Sequence, residues 1–305
     1  NSDQTERLLR QLSDIMEDVS RGDSSRMDTI FELTRDDVYP PEISRLAESF
    51  GMMIVNIEAR QQRLERLLAE LQEKNCELEH LSKNLMEANV GMLEVLGSAI
   101  AKRDSDTSAH NYRVTIHSIY LGKAMGLDDA ALHSLIKGAF LHDIGKIAIS
   151  DAILHKPARL DELEFNIIKS HVHHGSEIIK SYQWLSDAAD VVLHHHEKYN
   201  GTGYPDRLKG DDIPLNARIF AIADVFDALI SKRPYKEPCP FDEVMEIMAA
   251  DAGSHFDPEI FAVFKNDARR INETIAGYNE SSLKGILHTI MSDYFGRGGA
   301  GHNDT

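Results

Sequence analysis

The sequence reads Gly138-Ala139-Phe140-Leu141-His142-Asp143-Ile144-Gly145-Lys146 near its centre, with a His-Asp pair directly after an apolar stretch. On both sides of this stretch apolar residues recur at helical spacing, and residues 98–290 contain no alternating run of the kind that forms half-buried strands. One helix is expected to end near Gly126 and the next near Gly145. Residues 98–290 therefore predict an all-α helical bundle.

The His142-Asp143 pair is weak evidence for a functional site by itself, because buried His-Asp hydrogen bonds are common in proteins. Its meaning comes from other side chains that the pattern places on separate helices: His110, His171, His195, His196 and Asp224. Imidazole and carboxylate groups bind Mn, Fe or Zn, and facing helices can bring them to one point. The two oxygens of Asp143 could bridge two ions about 3.5–4 Å apart.

A series of further motifs follows in a fixed order along residues 98–265. They are His110-Asn111-Tyr112-Arg113-Val114, Phe140-Leu141-His142-Asp143-Ile144-Gly145-Lys146-Ile147, Asp151-Ala152-Ile153-Leu154 with Lys156-Pro157, His171 with Gly175, His195-His196-Glu197-Lys198-Tyr199-Asn200-Gly201-Thr202-Gly203-Tyr204-Pro205, Ile213-Pro214-Leu215 with Ala217-Arg218-Ile219, Ala223-Asp224-Val225-Phe226-Asp227-Ala228-Leu229, Arg233-Pro234-Tyr235-Lys236, and Phe256-Asp257-Pro258. On these motifs the sequence resembles the HD-GYP subgroup of the HD metal-dependent phosphohydrolases.

The resemblance implies a helical HD bundle that hydrolyses the bacterial second messenger cyclic di-GMP to pGpG, to GMP, or to both. It also implies two or three divalent metal ions, with Fe or Mn expected. Asp143 and Lys146 would be the catalytic residues, the metals would activate a hydroxide, and no serine or cysteine nucleophile would be needed. The implied metal ligands are His110, His142, Asp143, His171, His195, His196 and Asp224.

Two of the implied roles have open alternatives. Some family members bind a third metal through an acidic residue four positions before the first histidine, which is Asp106 here. Asp106 could reach the helix face of His110, or it could be the N-cap of that helix. Lys146 lies three residues after Asp143, where its ammonium could neutralise phosphate charge or form an ion pair with Asp143.

The substrate contacts implied by the resemblance come from residues after the paired histidines. Gly201 and Gly203 would let the backbone approach a ligand, and Tyr204 could stack on a guanine. Asp227 could hydrogen-bond a metal ligand or the substrate, whereas Arg113 is expected to orient carboxylates. The substrate-binding prediction as a whole comprises Lys146, Gly201, Gly203, Tyr204, Asp227, Arg233 and Lys236.

The histidines outside the ligand set are expected to be surface or satisfied core residues. This applies to His117, His133, His155 and His255. His194 is a special case, because His194-His195-His196 leaves an ambiguity of one residue in the register. Glu197 and the loop spacing favour His195 and His196 as the ligands.

A heptad repeat precedes the bundle. Apolar residues recur every seven positions at Ile43, Phe50, Ile57, Leu64, Leu71, Leu78, Leu85 and Met92, and the position three later reads Leu46, Met53, Arg60, Leu67, Lys74, Leu81, Ala88 and Val95. This period predicts a left-handed coiled coil over residues 41–97 and a parallel homodimer. The alternative is a long helix that packs on its own domain.

Residues 1–40 predict a helical segment, and the stretch from Pro41 to Phe50 resembles the second half of a HAMP signal-relay module. That resemblance covers roughly residues 5–60 and implies an upstream sensor or membrane anchor. At the other end, the Gly-rich composition predicts a disordered tail over residues 291–305.

Composition limits the classes of function. The net charge of -17 argues against a nucleic-acid polymer as partner, although bound metal ions would still permit a phosphate substrate. Two cysteines, Cys76 and Cys239, form no disulfide framework and favour the cytoplasm for this chain, while the full-length protein could be membrane-anchored. We expect no membrane span within the chain.

The remaining alternatives concern the reaction. The motifs favour cyclic di-GMP hydrolysis, but a receptor that binds the messenger without turnover, or a hydrolase of another cyclic dinucleotide or nucleotide, would share much of the sequence pattern.

Overall fold

The computed structural model describes residues 2–21, 23, 25–103, 108–231 and 237–297. Within these ranges the regular structure is helical and no β-strand occurs, which confirms the predicted all-α fold. The helices are α1 Ser2–Ser20, α2 Met27–Leu33, α3 Pro41–Arg103, α4 Ser108–Ala124, α5 Asp129–Leu141, α6 Asp151–Leu154, α7 Glu162–Lys169, α8 His171–Lys180, α9 Ala189–His194, α10 Leu215–Ile230, α11 Phe241–Ala250, α12 Pro258–Ile275 and α13 Glu280–Arg297.

The first of two compact units spans Asn1–Leu81. In it α1, α2 and the first turns of α3 pack their apolar faces together, because helical spacing places one stripe of each helix on the same side. The buried residues are Leu8, Leu12, Ile15, Ile30, Leu33, Ile43, Ala47 and Ile54. The HAMP-like resemblance of this region stays a prediction.

Helix α3 continues without interruption to Arg103, past the predicted end of the coiled coil at residue 97. Its last turns belong to the second compact unit, which spans Ser82–Thr305. Val90, Leu93 and Ile100 are buried in the core of that unit, whereas the predicted seam residue Val95 is 69% exposed. Over these turns, packing within the second unit and not the heptad register decides which residues of α3 are buried.

The middle of α3 carries the rest of the heptad on a single exposed face. Its apolar side chains are more than half exposed at Leu64, Leu71, Leu78, Leu81 and Leu85. The dimeric coiled coil remains a prediction, and these residues define its expected seam.

The second unit is built on two apolar clusters that lie on either side of α4. One side packs α4 and α5 with the end of α3 and with α13, and the other packs them with α10, α11 and α12. Both α8 and α9 lie against α5 or the turn that follows it. Helices α4, α5, α8, α9 and α10 therefore surround a common interior, which is where the predicted ligands lie.

Helix α13 corrects the predicted C-terminal boundary. The helix continues to Arg297, and Met291 and Phe295 are buried, although the glycines at the end of the chain predicted disorder from residue 291. His133 of α5 stacks on the Phe295 ring, so apolar and aromatic packing holds this end of the helix. Residues 298–305 lie outside the described part of the chain. Among the described helices, none combines the length and the apolar character of a membrane-crossing segment.

Candidate metal centre

The His-Asp turn follows α5 directly in the chain and packs against α8. Helix α5 ends at Leu141, earlier than the predicted end near Gly145, and a 3-10 turn over Ile144–Ala148 follows. Gly145 allows this turn to approach α8, because a Cβ atom there would lie only 1.8 Å from the carbonyl oxygen of His171. The glycine thus brings His142 and Asp143 next to His171.

The first group of candidate ligands joins three helices. His110 comes from α4, His142 follows α5, and Asp224 comes from α10, and one ligand atom of each lies within 4.8 Å of the others. The Nε2 atom of His110 is 3.5 Å from Asp224 Oδ1. Both histidines are buried, so bulk water has little access to their ring nitrogens.

The second group consists of three histidines: His171 at the first turn of α8, and His195 and His196 directly after α9. Their ligand nitrogens also lie within 4.8 Å of one another, and the Nε2 atoms of His171 and His195 are 3.5 Å apart. The structure therefore groups His195 and His196 with His171, while the His194 ring lies near Glu197 and Asp206 instead.

Asp143 connects the two groups. Its Oδ2 atom is 3.1 Å from His142 Nε2 in the first group, and its Oδ1 atom is 3.4 Å from His171 Nε2 in the second. Oδ1 is buried and accepts no hydrogen bond. A buried carboxylate oxygen without a partner is costly, and a cation between the histidines would satisfy it. The donor set and this oxygen together fit a pair of divalent metal ions.

Hydrogen bonds at the far side of each ring orient the histidines toward this centre. The Nδ1 atoms of His142, His171 and His195 lie 2.9, 2.7 and 3.0 Å from the carbonyl oxygens of Ala139, Ile168 and Val192, respectively. A carbonyl oxygen can only accept, so each Nδ1 carries the hydrogen. Each Nε2 therefore faces away from the backbone carbonyls, and in a neutral ring it carries the lone pair that binds a metal, the usual arrangement of histidine ligands.

His110 is oriented by a side chain instead of the backbone. Its Nδ1 donates to Asp227 Oδ2 over 2.7 Å, and the Arg113 guanidinium donates to both oxygens of the same carboxylate. Ser231 also donates to Asp227, which is fully buried. The predicted contact of Asp227 with substrate is therefore corrected: its oxygens are engaged within the protein, and it orients a candidate ligand. Arg113 contacts a carboxylate, as the sequence suggested.

Burial keeps the second group of histidines neutral. It lowers the pKa of His171 and His195, and it lowers the pKa of His196 to about 3. Neutral imidazole is the form that binds metals. His142 differs, because the attraction of Asp143 outweighs burial and raises the pKa of its ring to about 9. Burial alone would raise the pKa of Asp143, but Lys146 and the neighbouring rings hold it well below its ordinary value.

Lys146 forms an ion pair with Asp143, which is one of the two roles that the sequence left open for it. Its Nζ donates to Asp143 Oδ2 over 2.7 Å, and its side chain is largely buried. This ammonium lies at the edge of the centre, where it could also meet a phosphate oxygen. The ion pair with Asp143 is thus shown, and the phosphate contact of Lys146 stays a prediction.

The glycines after the paired histidines serve the loop itself. A Cβ atom on Gly203 would lie 2.4–2.6 Å from backbone atoms of His196, Glu197 and Lys198, and Gly201 has a φ of +83° in the left-handed region. Gly203 thus approaches the chain's own backbone closely, and the predicted approach of Gly201 and Gly203 to a ligand stays a prediction. Through this packing, the Tyr204 ring stacks on the His196 ring at a centroid distance of 4.7 Å.

Sequence reasoning missed Lys169, the last residue of α7. Its Nζ lies 5.5 Å from the centroid of the Tyr204 ring and 4.6 Å from that of Phe165. The only signal in the sequence is its position two residues before His171. Among the predicted site residues, Asp106, Arg233 and Lys236 lie outside the described residues.

The other histidines largely follow the expectation of ordinary surroundings, with one correction. His117 is fully buried, and neither of its ring nitrogens has a hydrogen-bond partner. It packs edge-on against Phe226, and burial lowers its pKa to about 4. It is therefore a neutral core residue whose polar atoms are not satisfied.

The helices, the His-Asp turn and the two ligand groups define a class of protein. The sequence matches the HD domain family over residues 94–260, and the chain belongs to that family. The prediction of the HD-GYP subgroup is confirmed.

Curated relatives share the same region. The chain is 39% identical over 216 residues to the 3'3'-cGAMP-specific phosphodiesterase 2 of Vibrio cholerae, covering 69% of this chain and 41% of that protein. It is 38% identical over 194 residues to the cyclic di-GMP phosphodiesterase response regulator RpfG of Xanthomonas campestris pv. campestris (63% and 51% covered). It is 37% identical over 184 residues to a cyclic di-GMP phosphodiesterase of Thermotoga maritima (60% and 50% covered). The chain thus spans about half the length of these relatives, or less.

Proposed function

We propose that this chain is a metal-dependent phosphodiesterase that hydrolyses cyclic di-GMP to pGpG, GMP or both. The observation that carries the proposal is the pair of three-ligand groups joined by Asp143. An HD domain with every one of these ligands in place has the donors that metal-assisted hydrolysis of a phosphodiester requires. The names of the relatives support the substrate class, since each acts on a cyclic dinucleotide.

The ligand set would hold two ions, one in each group of three, with Asp143 between them. Divalent metals bound there supply Lewis acidity, which activates water and neutralises phosphoryl oxygens. Fe or Mn is the proposed identity, because both accept mixed nitrogen and oxygen ligands. A third ion held through Asp106 stays a prediction, since that residue lies outside the described part of the chain.

The chain's own residues perform the rest of the reaction. Backbone carbonyls and Asp227 hold the imidazoles in one orientation, so little reorganisation is needed when substrate binds. Lys146 moves from Asp143 to a non-bridging phosphate oxygen and stabilises the charge that develops at phosphorus. Tyr204 offers the part of its ring not covered by His196 to a guanine, and Lys169 adds positive charge beside it. Arg233 and Lys236 are kept as proposed phosphate or guanine contacts.

A second candidate substrate has a specific observation in its favour. The Vibrio cholerae relative is named for 3'3'-cGAMP, which differs from cyclic di-GMP in one base. Hydrolysis of such a mixed dinucleotide would use the same metal centre. A receptor without turnover finds no support in the ligand set, because no candidate ligand is missing.

The test compares both dinucleotides with protein purified without oxygen and loaded with Fe²⁺ or Mn²⁺. Product is followed over time to separate pGpG from GMP. We expect cyclic di-GMP hydrolysis by the wild type and by His288→Gln, an exposed control. Asp143→Ala should lose hydrolysis together with the metal bound at this centre. Full activity of an intact metal-free protein would contradict the mechanism, and a strong preference for 3'3'-cGAMP would favour the second candidate.

We also propose that α3 forms a parallel two-stranded coiled coil with a second copy of the chain. The support is the exposed stripe of leucines, which a lone helix leaves in water. In Leu71→Lys/Leu78→Lys we expect sedimentation as a monomer, because charges at seam positions face each other across the coil. Glu65→Lys/Glu73→Lys, at positions away from the seam, should stay dimeric, and an unchanged mass for the leucine variant would contradict the coil. An upstream sensor and a cytoplasmic location stay predictions.

A further inference from the structure

A second cluster of potential ligands lies outside the proposed catalytic centre, at the base of the loop that carries Tyr204. It consists of His194 at the end of α9, Glu197 three residues later, and Asp206 at the far end of the loop. One nitrogen and two carboxylate oxygens, one atom from each residue, lie within 4.8 Å of one another. The Nδ1 atom of His194 is 3.8 Å from Asp206 Oδ2.

Two buried atoms of this cluster have no hydrogen-bond partner. Glu197 is only 2% exposed, and although its Oε1 accepts the backbone N–H of Asp206 over 2.7 Å, its Oε2 accepts nothing. His194 Nδ1 is likewise buried and unpartnered. A buried carboxylate oxygen and a buried imidazole nitrogen that stay unsatisfied within one cluster cost free energy, and native proteins rarely leave them so without an ion, a water or a functional reason.

A divalent cation would satisfy both atoms at once. Bonds of about 2.0–2.2 Å from zinc to nitrogen and oxygen ligands at tetrahedral angles bring the ligand atoms to roughly 3.4 Å from one another. The 3.8 Å between His194 and Asp206 needs only a small contraction to reach that geometry. Asp206 is half exposed, so its side chain can move and solvent can supply the fourth ligand. Two carboxylates also match the charge of a divalent ion.

We propose that His194, Glu197 and Asp206 form a separate binding site for a divalent transition metal of the zinc class. The ion would tie the end of α9 to the chain just after Pro205. It would thereby close the loop over residues 197–206, which holds Tyr204 against the candidate ligand His196. The site does not depend on the proposed reaction, because none of its three residues belongs to the two ligand groups around Asp143.

The experiment counts the zinc ions that bind to each 305-residue chain. A chelator first removes bound metal from the protein, which is then loaded with Zn²⁺. Gel filtration removes unbound Zn²⁺, and mass spectrometry measures the zinc content per chain. His194→Gln and Asp206→Asn should each bind one ion fewer than the wild type, or bind it more than about tenfold more weakly. Asp143→Ala should lose ions from the catalytic centre and keep this one, so failure of the proposed reaction leaves the result readable.

A matched control separates a built site from an ordinary surface pair. His288 Nδ1 lies 3.8 Å from Glu94 Oε1, the same separation as in the His194–Asp206 pair, but the His288 side chain is 57% exposed. His288→Gln should therefore keep the wild-type zinc count. Circular dichroism checks that each variant is folded, and the half-exposed position of Asp206 makes Asp206→Asn the variant least expected to disturb the fold. Equal zinc counts in the wild type, His194→Gln and folded Asp206→Asn would overturn the proposal.

Discussion

Gly145 offers a direct test of how the fold positions the candidate metal centre. In Gly145→Ala the new Cβ atom would start 1.8 Å from the His171 carbonyl oxygen and 2.5 Å from the backbone nitrogen of Gly175. Real Cβ contacts essentially never fall below 3.0 Å, so the gap between the turn and α8 must open by more than an ångström. Backbone atoms on both sides leave no flexible side chain to absorb that movement.

This opening should separate Asp143 from His171, whose ligand atoms are now 3.4 Å apart. Overpacking of this kind costs about 1–3 kcal/mol of unfolding free energy. A displacement of about 1 Å between groups that act together costs on the order of 100-fold in activity. We therefore expect a lower melting temperature because of the overpacking. We also expect weaker metal binding, because the ligand atoms of Asp143 and His171 move apart.

The assay has two readouts, thermal unfolding of the metal-free protein and metal content after loading with Mn²⁺. Gly91→Ala is the control, because Gly91 lies within α3 and a Cβ there would meet nothing within 4 Å. A helical Gly→Ala substitution of that kind should stabilise by about 0.5–1 kcal/mol. Wild-type stability and metal content in Gly145→Ala would refute the idea that this contact sets the distance between Asp143 and His171.

Two further predictions concern the buried polar groups around the centre. Asp227→Asn should weaken metal binding about 10- to 100-fold, because it weakens the hydrogen bond that orients His110. Ser231→Ala removes only one hydrogen bond to Asp227 and should weaken metal binding less. Calorimetric titration with Mn²⁺ compares the two variants. Burial lowers the pKa of His117 from 6.5 to about 4 in the folded protein. When the pH drops from 6.5 toward 4, the unfolded chain therefore binds a proton at this ring before the folded chain does, and the free energy of unfolding falls. Relative to His117→Leu, the metal-free wild type should lose about 2 kcal/mol of unfolding free energy between about pH 7.5 and pH 5. Parallel curves of unfolding free energy against pH for the two proteins would show that His117 does not titrate in this way.

The sequence predicted which candidate ligands lie together better than it predicted the roles of the residues that support them. His110, His142, His171 and Asp224 were readable because imidazoles and carboxylates at spaced motif positions have few ordinary explanations. The role of Asp227 was not, because a carboxylate three residues after a ligand can face substrate or protein, and only the packing of α4 against α10 decides.

Boundaries were the least readable feature, for a physical reason. The heptad continues through Met92 and Val95, yet Leu93 and Ile100 are the residues that become buried, because they face the apolar core of the second unit. In the same way, α13 extends past residue 291 because Phe295 finds His133 and Trp184 to pack against. Contacts between residues far apart in sequence decide such ends, and local composition does not contain them.

The manner in which the imidazoles are held has a consequence for the tolerance of this centre to mutation. Three of the rings are oriented by the carbonyls of Ala139, Ile168 and Val192, a group that every amino acid supplies. Those positions can therefore change side chain over generations without turning a ring, provided that the helix is kept. His110 alone among these four rings relies on the chemistry of another side chain, so inherited loss of function through misoriented rings should concentrate at Asp227 and its partner Arg113.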